Sequence, residues 1–216
     1  MFFVFEGMDG AGKTTCRDGV AEKLKALGYE VVICREPGGT FIGEKIRDLL
    51  LFDETRYHQK LSESSRVLLF NASRTEHLEH VIKPSVEAGK IVLVDRWVYS
   101  TIAYTEKESN RWAAANIHNE VIGDFECEPD HVFFFDIDKE TSKKRLMLCN
   151  SGELDDIEKR IMDTFDIHRE RYEWAFKCLP VDRSVLDGTD SIDNLQDIVL
   201  TKILQVIENE AGRTPR

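Results

Sequence analysis

The sequence predicts an α/β protein built on a doubly wound parallel sheet, and three observations carry that expectation. Short β-rich runs recur as "FFVF", "EVVIC", "IVLVD" and "HVFFFD", with a weaker one at "SVLDG". Their apolar positions are nearly continuous rather than alternating, as in strands covered on both faces. Longer helix-like segments separate them, so strand and helix alternate along the chain.

Phe2 to Phe5 form the first strand, and a glycine-rich loop follows. Val20, Leu24 and Leu27 recur on one helical face, which places a helix over residues 13–27. After "EVVIC" come helical segments over 41–50 and 62–88, and after "IVLVD" another over 110–125. "HVFFFD" precedes helices over 139–148 and 155–177, and "SVLDG" precedes the last, over 191–208. That last segment carries Ile192, Leu195, Val199, Ile203 and Val206 at spacings of three and four, a stripe for core packing. Residues 209–216, "NEAGRTPR", have no apolar pattern and read as a flexible tail behind a single domain, 1–208.

The chain has 216 residues, 42% of them hydrophobic and 32% charged, which suffices for one buried α/β core. The formal charge of −11 repels nucleotides and nucleic acids on average, so a phosphate site must gather its cations locally and nucleic acid is not an expected partner. Five scattered cysteines, Cys16, Cys34, Cys127, Cys149 and Cys178, never stand in CxxC spacing. They suit a reducing compartment and read as structural, Cys16 as a buried small hydrophobe. The N-terminus lacks a basic region and a long apolar run, and no stretch reaches membrane length, so a cytoplasmic protein is expected.

"FEGMDGAGKTT" holds Gly7, four residues, then Gly12, Lys13 and Thr14, which fits the GxxxxGK[ST] phosphate-binding pattern in its strand, loop and helix context. Glycines let successive backbone N–H groups approach phosphate oxygens, Lys13 supplies a mobile charge, and the helix start adds its positive dipole end. The Thr14 hydroxyl is placed to ligate Mg²⁺. In such sheets ligands sit at the carboxyl ends of strands, which directs attention to "REPGGT" after the second strand and to Asp95 and Arg96 after "IVLV". Asp95 is either a metal-side carboxylate or a helix cap. Arg96 suits a bidentate phosphate contact. Phe70 and Arg74 are four apart on one helix and share a face, either as a core ring and a surface ion pair or as a joint grip on one object.

"FEGMDGAGKTT", "REPGGT", "EKIRDLL", "LLFNASR" and "DRWVYSTIAY" together closely resemble the thymidylate kinases, the bacterial type in particular, from residue 2 to about 180. The resemblance implies the P-loop nucleoside monophosphate kinase fold, a five-stranded parallel sheet surrounded by helices with a mobile lid at about 143–160, usually as a homodimer. It implies ATP- and Mg²⁺-dependent phosphorylation of dTMP to dTDP. By the same resemblance Gly7, Asp9, Gly10, Ala11, Gly12, Lys13, Thr14 and Thr15 hold ATP, and Thr14 and Asp95 hold the metal. Lys13, Asp95, Arg96 and Arg145 would be catalytic. Arg47 and Arg96 hold the acceptor phosphate, Phe70 stacks on thymine, and Arg74 bonds its carbonyl oxygen. Asp9 accepts the sugar 3′-hydroxyl, Pro37 packs near the base, Ser100 and Thr101 lie at the thymine edge, and Tyr104 lies under the deoxyribose. Adenine is expected at the "DGTDS" turn, Asp187 to Ser191.

The pattern departs from the family in places. Thr105 stands where many bacterial members carry Gln. Relatives place a phosphate-contacting arginine in the phosphate loop or in the lid; here Gly10 occupies the loop position, and "KKRLMLCNSGELDDIEKR" lacks the repeated lid arginines. Arg145 and Arg160 are the remaining lid candidates, with Arg169 as a possible helper; each also reads as a solvated helix charge. A deoxynucleoside kinase, with Glu36 as general base on a sugar hydroxyl, is the nearest enzyme alternative, beside a kinase for another or modified deoxynucleoside monophosphate. A silent nucleotide binder is the alternative from another class. A GTPase is excluded, because "NLQD" at 194–197 lacks the lysine of an NKxD segment.

Overall fold

A computed structural model describes residues 1–51, 60–149, 153, 154 and 156–211. Five strands, β1 (Phe2–Gly7), β2 (Val31–Arg35), β3 (Ile91–Asp95), β4 (His131–Asp136) and β5 (Arg183–Asp187), form one parallel sheet in the order β2-β3-β1-β4-β5. β1, β3 and β4 are buried almost throughout, whereas the edge strand β2 is exposed in part and the edge strand β5 over most of its length. That is why the fifth run reads weakly in the sequence: half of its pattern faces water. Phe2, Phe3, Phe5, Phe133 and Phe135 are all sealed in the centre, with Phe5 and Phe133 centroids 5.4 Å apart. Each such ring contributes about 1.5–3 kcal/mol by leaving water.

Helix α1 (Lys13–Ala26) follows the glycine loop, and α2 (Phe41–Leu50) starts at Thr40, whose hydroxyl accepts from Gly43 N at 2.9 Å. Helix α3 (Glu63–His77) is capped by Ser62, then passes through a π-turn at Leu78–Ile82 into α4 (Lys83–Glu87). Pro84 has no N–H to give to the preceding turn, and the ladder widens ahead of it: Lys83 N bonds Leu78 O, five residues back. The expected helix over 62–88 is therefore present with one slipped turn.

Beyond β3 lies α5 (Val98–Ala103), a helix that the sequence does not announce, since all six residues are buried and no polar face marks a period. The helix expected over 110–125 is α6 (Glu108–Ile117), continued by a π-turn at His118–Ile122 and a 3₁₀ turn at Gly123–Phe125. Helix α7 (Lys139–Cys149) follows β4. The helix expected over 155–177 is two, α8 (Asp156–Asp163) and α9 (Phe165–Cys178), broken at Thr164, whose hydroxyl bonds Arg160 O and whose ψ of 19° leaves the helical range. Helix α10 (Ile192–Ala211) runs three residues past its expected end, into the stretch read as a tail. All five thiols are free; Cys16, Cys34 and Cys127 are buried, and Cys149 is exposed, against the expectation of a structural role. Burial pushes the Cys16 thiol up to about 12, so it is an inert hydrophobe. Among the described residues, no helix is long and apolar enough to cross a membrane.

The connection after β1 leads to one flank of the sheet and that after β3 to the other, so the carboxyl ends of these neighbours diverge. A crevice opens at such a switch point.

Candidate active site

The glycine loop and the Asp95–Arg96 pair meet at that crevice. Lys13 is 6% exposed and its Nζ donates to Met8 O at 2.8 Å; Thr14 Oγ1 donates to Asp95 Oδ2 at 2.6 Å. Asp95 Oδ1 is buried and has no partner among the described residues. A hydroxyl and one carboxylate oxygen side by side, with a second oxygen unclaimed, fit Mg²⁺, which takes few protein ligands and completes its shell with water and phosphate oxygens. Ala11 is buried and Thr15 exposed within the same loop. Gly10 has φ +76°, and a Cβ there would stand 2.8 Å from Ser142 O. No arginine can replace it while α7 lies in this position.

Arg96 adopts φ +70°, in the left-handed region that a non-glycine residue occupies only under constraint. The constraint is Glu6, fully buried at the end of β1. Its carboxylate accepts from Trp97 N (2.7 Å), Ser100 N (3.0 Å), Ser100 Oγ (2.5 Å) and Tyr172 OH (3.1 Å). The two backbone bonds pin the start of α5 and thereby the turn at Arg96. The guanidinium then bonds Ser100 Oγ (2.9 Å), Tyr172 OH and Gly7 O (each 3.3 Å), and pairs with Asp9 Oδ1. Burial and the neighbouring Arg96 pull the Lys13 ammonium down to about 8. Burial raises Glu6 above the usual carboxylate range against the pull of Arg96, whereas Arg96 and Lys13 overcome burial at Asp9 and lower it. Ser100, expected at a ligand edge, gives its hydroxyl to this network.

A second group lies on the other side. Arg74 is 1% exposed; it bonds Glu36 Oε2 (2.8 Å), Asn71 Oδ1 (3.3 Å) and Thr101 Oγ1 (2.9 Å), with its guanidinium 5.1 Å from the Trp97 ring. It is thus a buried cation rather than a surface ion pair, and Phe70 one turn earlier is half-buried. Glu36 Oε1 faces His77 Nδ1 at 3.3 Å, so both oxygens of this buried carboxylate are engaged. Pro37 follows a cis peptide bond, and its carbonyl accepts from Arg47 Nη1 at 3.0 Å. Tyr104 lies between the groups, 5.4 Å from the Arg96 guanidinium, its hydroxyl 3.8 Å from Met8 Sδ and its ring 4.7 Å from His168. Thr105 turns its hydroxyl to Thr101 O.

From α7, Arg145 Nη1 donates to Gly188 O (2.7 Å) and Gly10 O (3.3 Å), and Ser142 Oγ donates to Asp9 O (2.7 Å). These bonds join the glycine loop to the turn "DGTDS". Arg160 is exposed on α8. Arg169 is forked onto Asp136, at 2.7 and 2.5 Å, and so serves that carboxylate. Asn150, Ser151, Gly152 and Asp155, within the expected lid, lie outside the described residues.

The sequence profile described as Thymidylate kinase matches residues 5–199. The chain belongs to the thymidylate kinase family. A thymidylate kinase from Exiguobacterium sibiricum is 36% identical over 96% of this chain and 95% of its own length; one from Mycoplasma capricolum subsp. capricolum is 34% identical over 99% of both. Among solved structures, the crystal structure of thymidylate kinase from Ehrlichia chaffeensis superposes with a TM-score of 0.69 at 31% identity, over 94% of this chain and 98% of that one. The five-stranded parallel sheet with its surrounding helices is the thymidylate kinase fold, and membership makes the chain a phosphotransferase, with dTMP to dTDP as the reaction the family supports.

Sequence reading missed Glu6, Tyr172, Ser142 and His77. Glu6 was visible only as the last letter of an apolar run, where an acid entering a sealed sheet end is itself a signal.

Proposed function

We propose that this chain transfers the γ-phosphoryl of ATP to dTMP, with Mg²⁺ held by Thr14 and Asp95. One observation carries the reading: the Thr14–Asp95 contact of 2.6 Å lies on the loop that also holds Lys13, with Arg96 next in sequence and locked to Asp9. A nucleoside monophosphate is largely dianionic near neutral pH, its second pKa being about 6, so its oxygen attacks without a general base. The obstacle is repulsion between two anions, and catalysis is positioning plus charge neutralisation. Thr14 and Asp95 would hold the Mg²⁺, which would supply positive charge against the phosphates.

In this reading Lys13 and the N–H groups from Gly7 to Thr15 cradle ATP, Arg96 and Arg47 hold the acceptor phosphate, and Asp9 receives the sugar 3′-hydroxyl. Phe70, Arg74, Pro37 and Thr101 surround the base, Ser100 serves the acceptor through Arg96, and Tyr104 supports the sugar. Arg145 supplies the cation that the shortened set of lid arginines leaves to it, at the adenine side near Gly188, and α7 and α8 belong to the lid. A general base at Glu36, as a deoxynucleoside kinase needs, has no support, since Arg74 and His77 take both its oxygens.

The test is ADP release from ATP and Mg²⁺ with dTMP, dUMP, dGMP, dCMP, AMP and thymidine supplied singly. The expected result is a strong preference for dTMP. Turnover of thymidine alone would establish the deoxynucleoside kinase, and binding of ATP and dTMP without turnover would establish the silent binder.

The same proposal includes a homodimer in the cytoplasm. Phe41 (80% exposed), Leu49 and Leu68 leave apolar surface on the paired helices α2 and α3, and Leu51 adds to it just beyond α2. Light scattering on a sizing column should give twice the chain mass of 24.9 kDa, and Leu68→Asp should shift it to the monomer. A monomeric wild-type chain at micromolar concentration refutes this part.

A further inference from the structure

His77 ends α3 three residues beyond Arg74 and is fully buried, yet no step of the proposed reaction uses it. Its Nδ1 faces Glu36 Oε1 at 3.3 Å, and the other Glu36 oxygen accepts from Arg74 Nε at 2.8 Å. Its Nε2 has no partner among the described residues and lies under the turn "EPGG". A Cβ on Gly39, at φ +84°, would stand 2.5 Å from that nitrogen, so the imidazole is a floor against which only glycine packs. The turn is fixed from two more sides: Gly38 N donates to Ser73 Oγ at 3.1 Å, and the Pro37 carbonyl holds Arg47.

We infer that His77 is a positioning residue that sets Arg74 and the Arg47-anchoring turn in one register through Glu36, so that the base end and the phosphate end of the acceptor are gripped by a single rigid unit. The inference rests on the reading of Arg74 and Arg47 given above. Its physical basis is the buried carboxylate. A charge sealed between two donors keeps both in place; with one donor gone, an oxygen is left buried and unsatisfied, and the carboxylate turns toward whatever donor remains. Glu36 is joined by backbone to Pro37 and by side chain to Arg74, so that turn displaces both grips together. The network meets the ATP half at one backbone bond, Glu36 N to Asp95 O at 2.9 Å, which a change of the His77 side chain leaves in place; among the described residues none of its side chains bonds Lys13, Thr14 or the Asp95 carboxylate.

The experiment compares His77→Ala and His77→Asn with the wild type, the amide nitrogen of Asn lying where Nδ1 lies. His77→Ala should raise KM for dTMP about tenfold, the worth of one charge-assisted bond, with KM for ATP unchanged and kcat altered less than KM. His77→Asn should recover most of that loss. The upward shift of the melting temperature caused by dTMP should shrink in His77→Ala, while that caused by ATP should not. A lowered melting temperature with both KM values unchanged makes His77 a packing residue and overturns the inference, as does an equal rise in both KM values. Should His77→Ala not fold, Glu36→Gln, close to isosteric, should give the same one-sided rise. If the wild type prefers another acceptor, the functional reading fails by itself, and that acceptor replaces dTMP in the same comparison.

Discussion

Arg96→Ala should lower kcat/KM for dTMP by about 30- to 5,000-fold, corresponding to the ~2–5 kcal/mol lost when one member of a buried charged pair is truncated. The guanidinium does two things that alanine cannot. It is the partner of Asp9, whose carboxylate it holds ionised, and it presents a planar fork to a phosphate dianion. Removing it leaves Asp9 as a bare negative charge beside the incoming dianion, so repulsion is added where attraction is removed. Arg96→Lys should recover only a small part, since one ammonium cannot span Ser100, Tyr172 and Asp9 and still face the ligand. Below about pH 8, where Lys13 is charged, KM for ATP should change less than KM for dTMP, because Arg96 reaches the phosphate loop at Gly7 O and Asp9 and bonds neither Lys13 nor Thr14. Glu6, whose bonds hold the left-handed turn, is the reason the fork points inward. Steady-state kinetics with dTMP as the varied substrate decide the matter; unchanged dTMP turnover refutes the assignment of Arg96.

Which parts of this arrangement the sequence revealed follows from the range of the forces involved. The buried strands β1, β3 and β4 were legible because apolar runs sealed on both faces look the same wherever they occur. The glycine loop was legible because its backbone requirement is written in consecutive residues. Arg74 and Phe70 share a helix face, and that too is local. Glu6 and Ser100 stand 94 residues apart, and Tyr172 lies 166 residues from Glu6. No spacing connects such groups before the sheet brings β1 and β3 side by side. Helix α5 was missed for the opposite reason: it is local, but burial on every side removes the polar stripe by which a helix is read. Arg169 shows the reverse error. In sequence it was one more arginine near a phosphate site, and in the fold Asp136 takes its guanidinium.

Lys13 gives the second large effect and the one with a pH signature. Lys13→Ala should lower kcat by about 10²–10³-fold, the usual loss when a preorganised donor to developing charge is removed. Its ammonium is buried beside Arg96, and both burial and that neighbour disfavour the charged form, bringing it down to about 8 in the free protein. A phosphate dianion acts in the opposite direction, because an opposing charge within contact favours the ammonium. The free protein therefore loses its phosphate-binding charge as pH rises through about 8, whereas the ATP complex keeps it. Hence kcat/KM for ATP, which reports the free protein, should fall above about pH 8, while kcat, which reports the complex, should stay level over the same range. Arg96→Ala provides an internal check. It removes the repelling neighbour, so the break in kcat/KM should move to higher pH, toward the ordinary lysine value of about 10.4. A break that does not move in that variant means that burial alone sets the Lys13 charge. A kcat/KM level to about pH 10 in the wild type means that the ammonium is held by Asp9, Asp95 and Glu6 more strongly than Arg96 repels it.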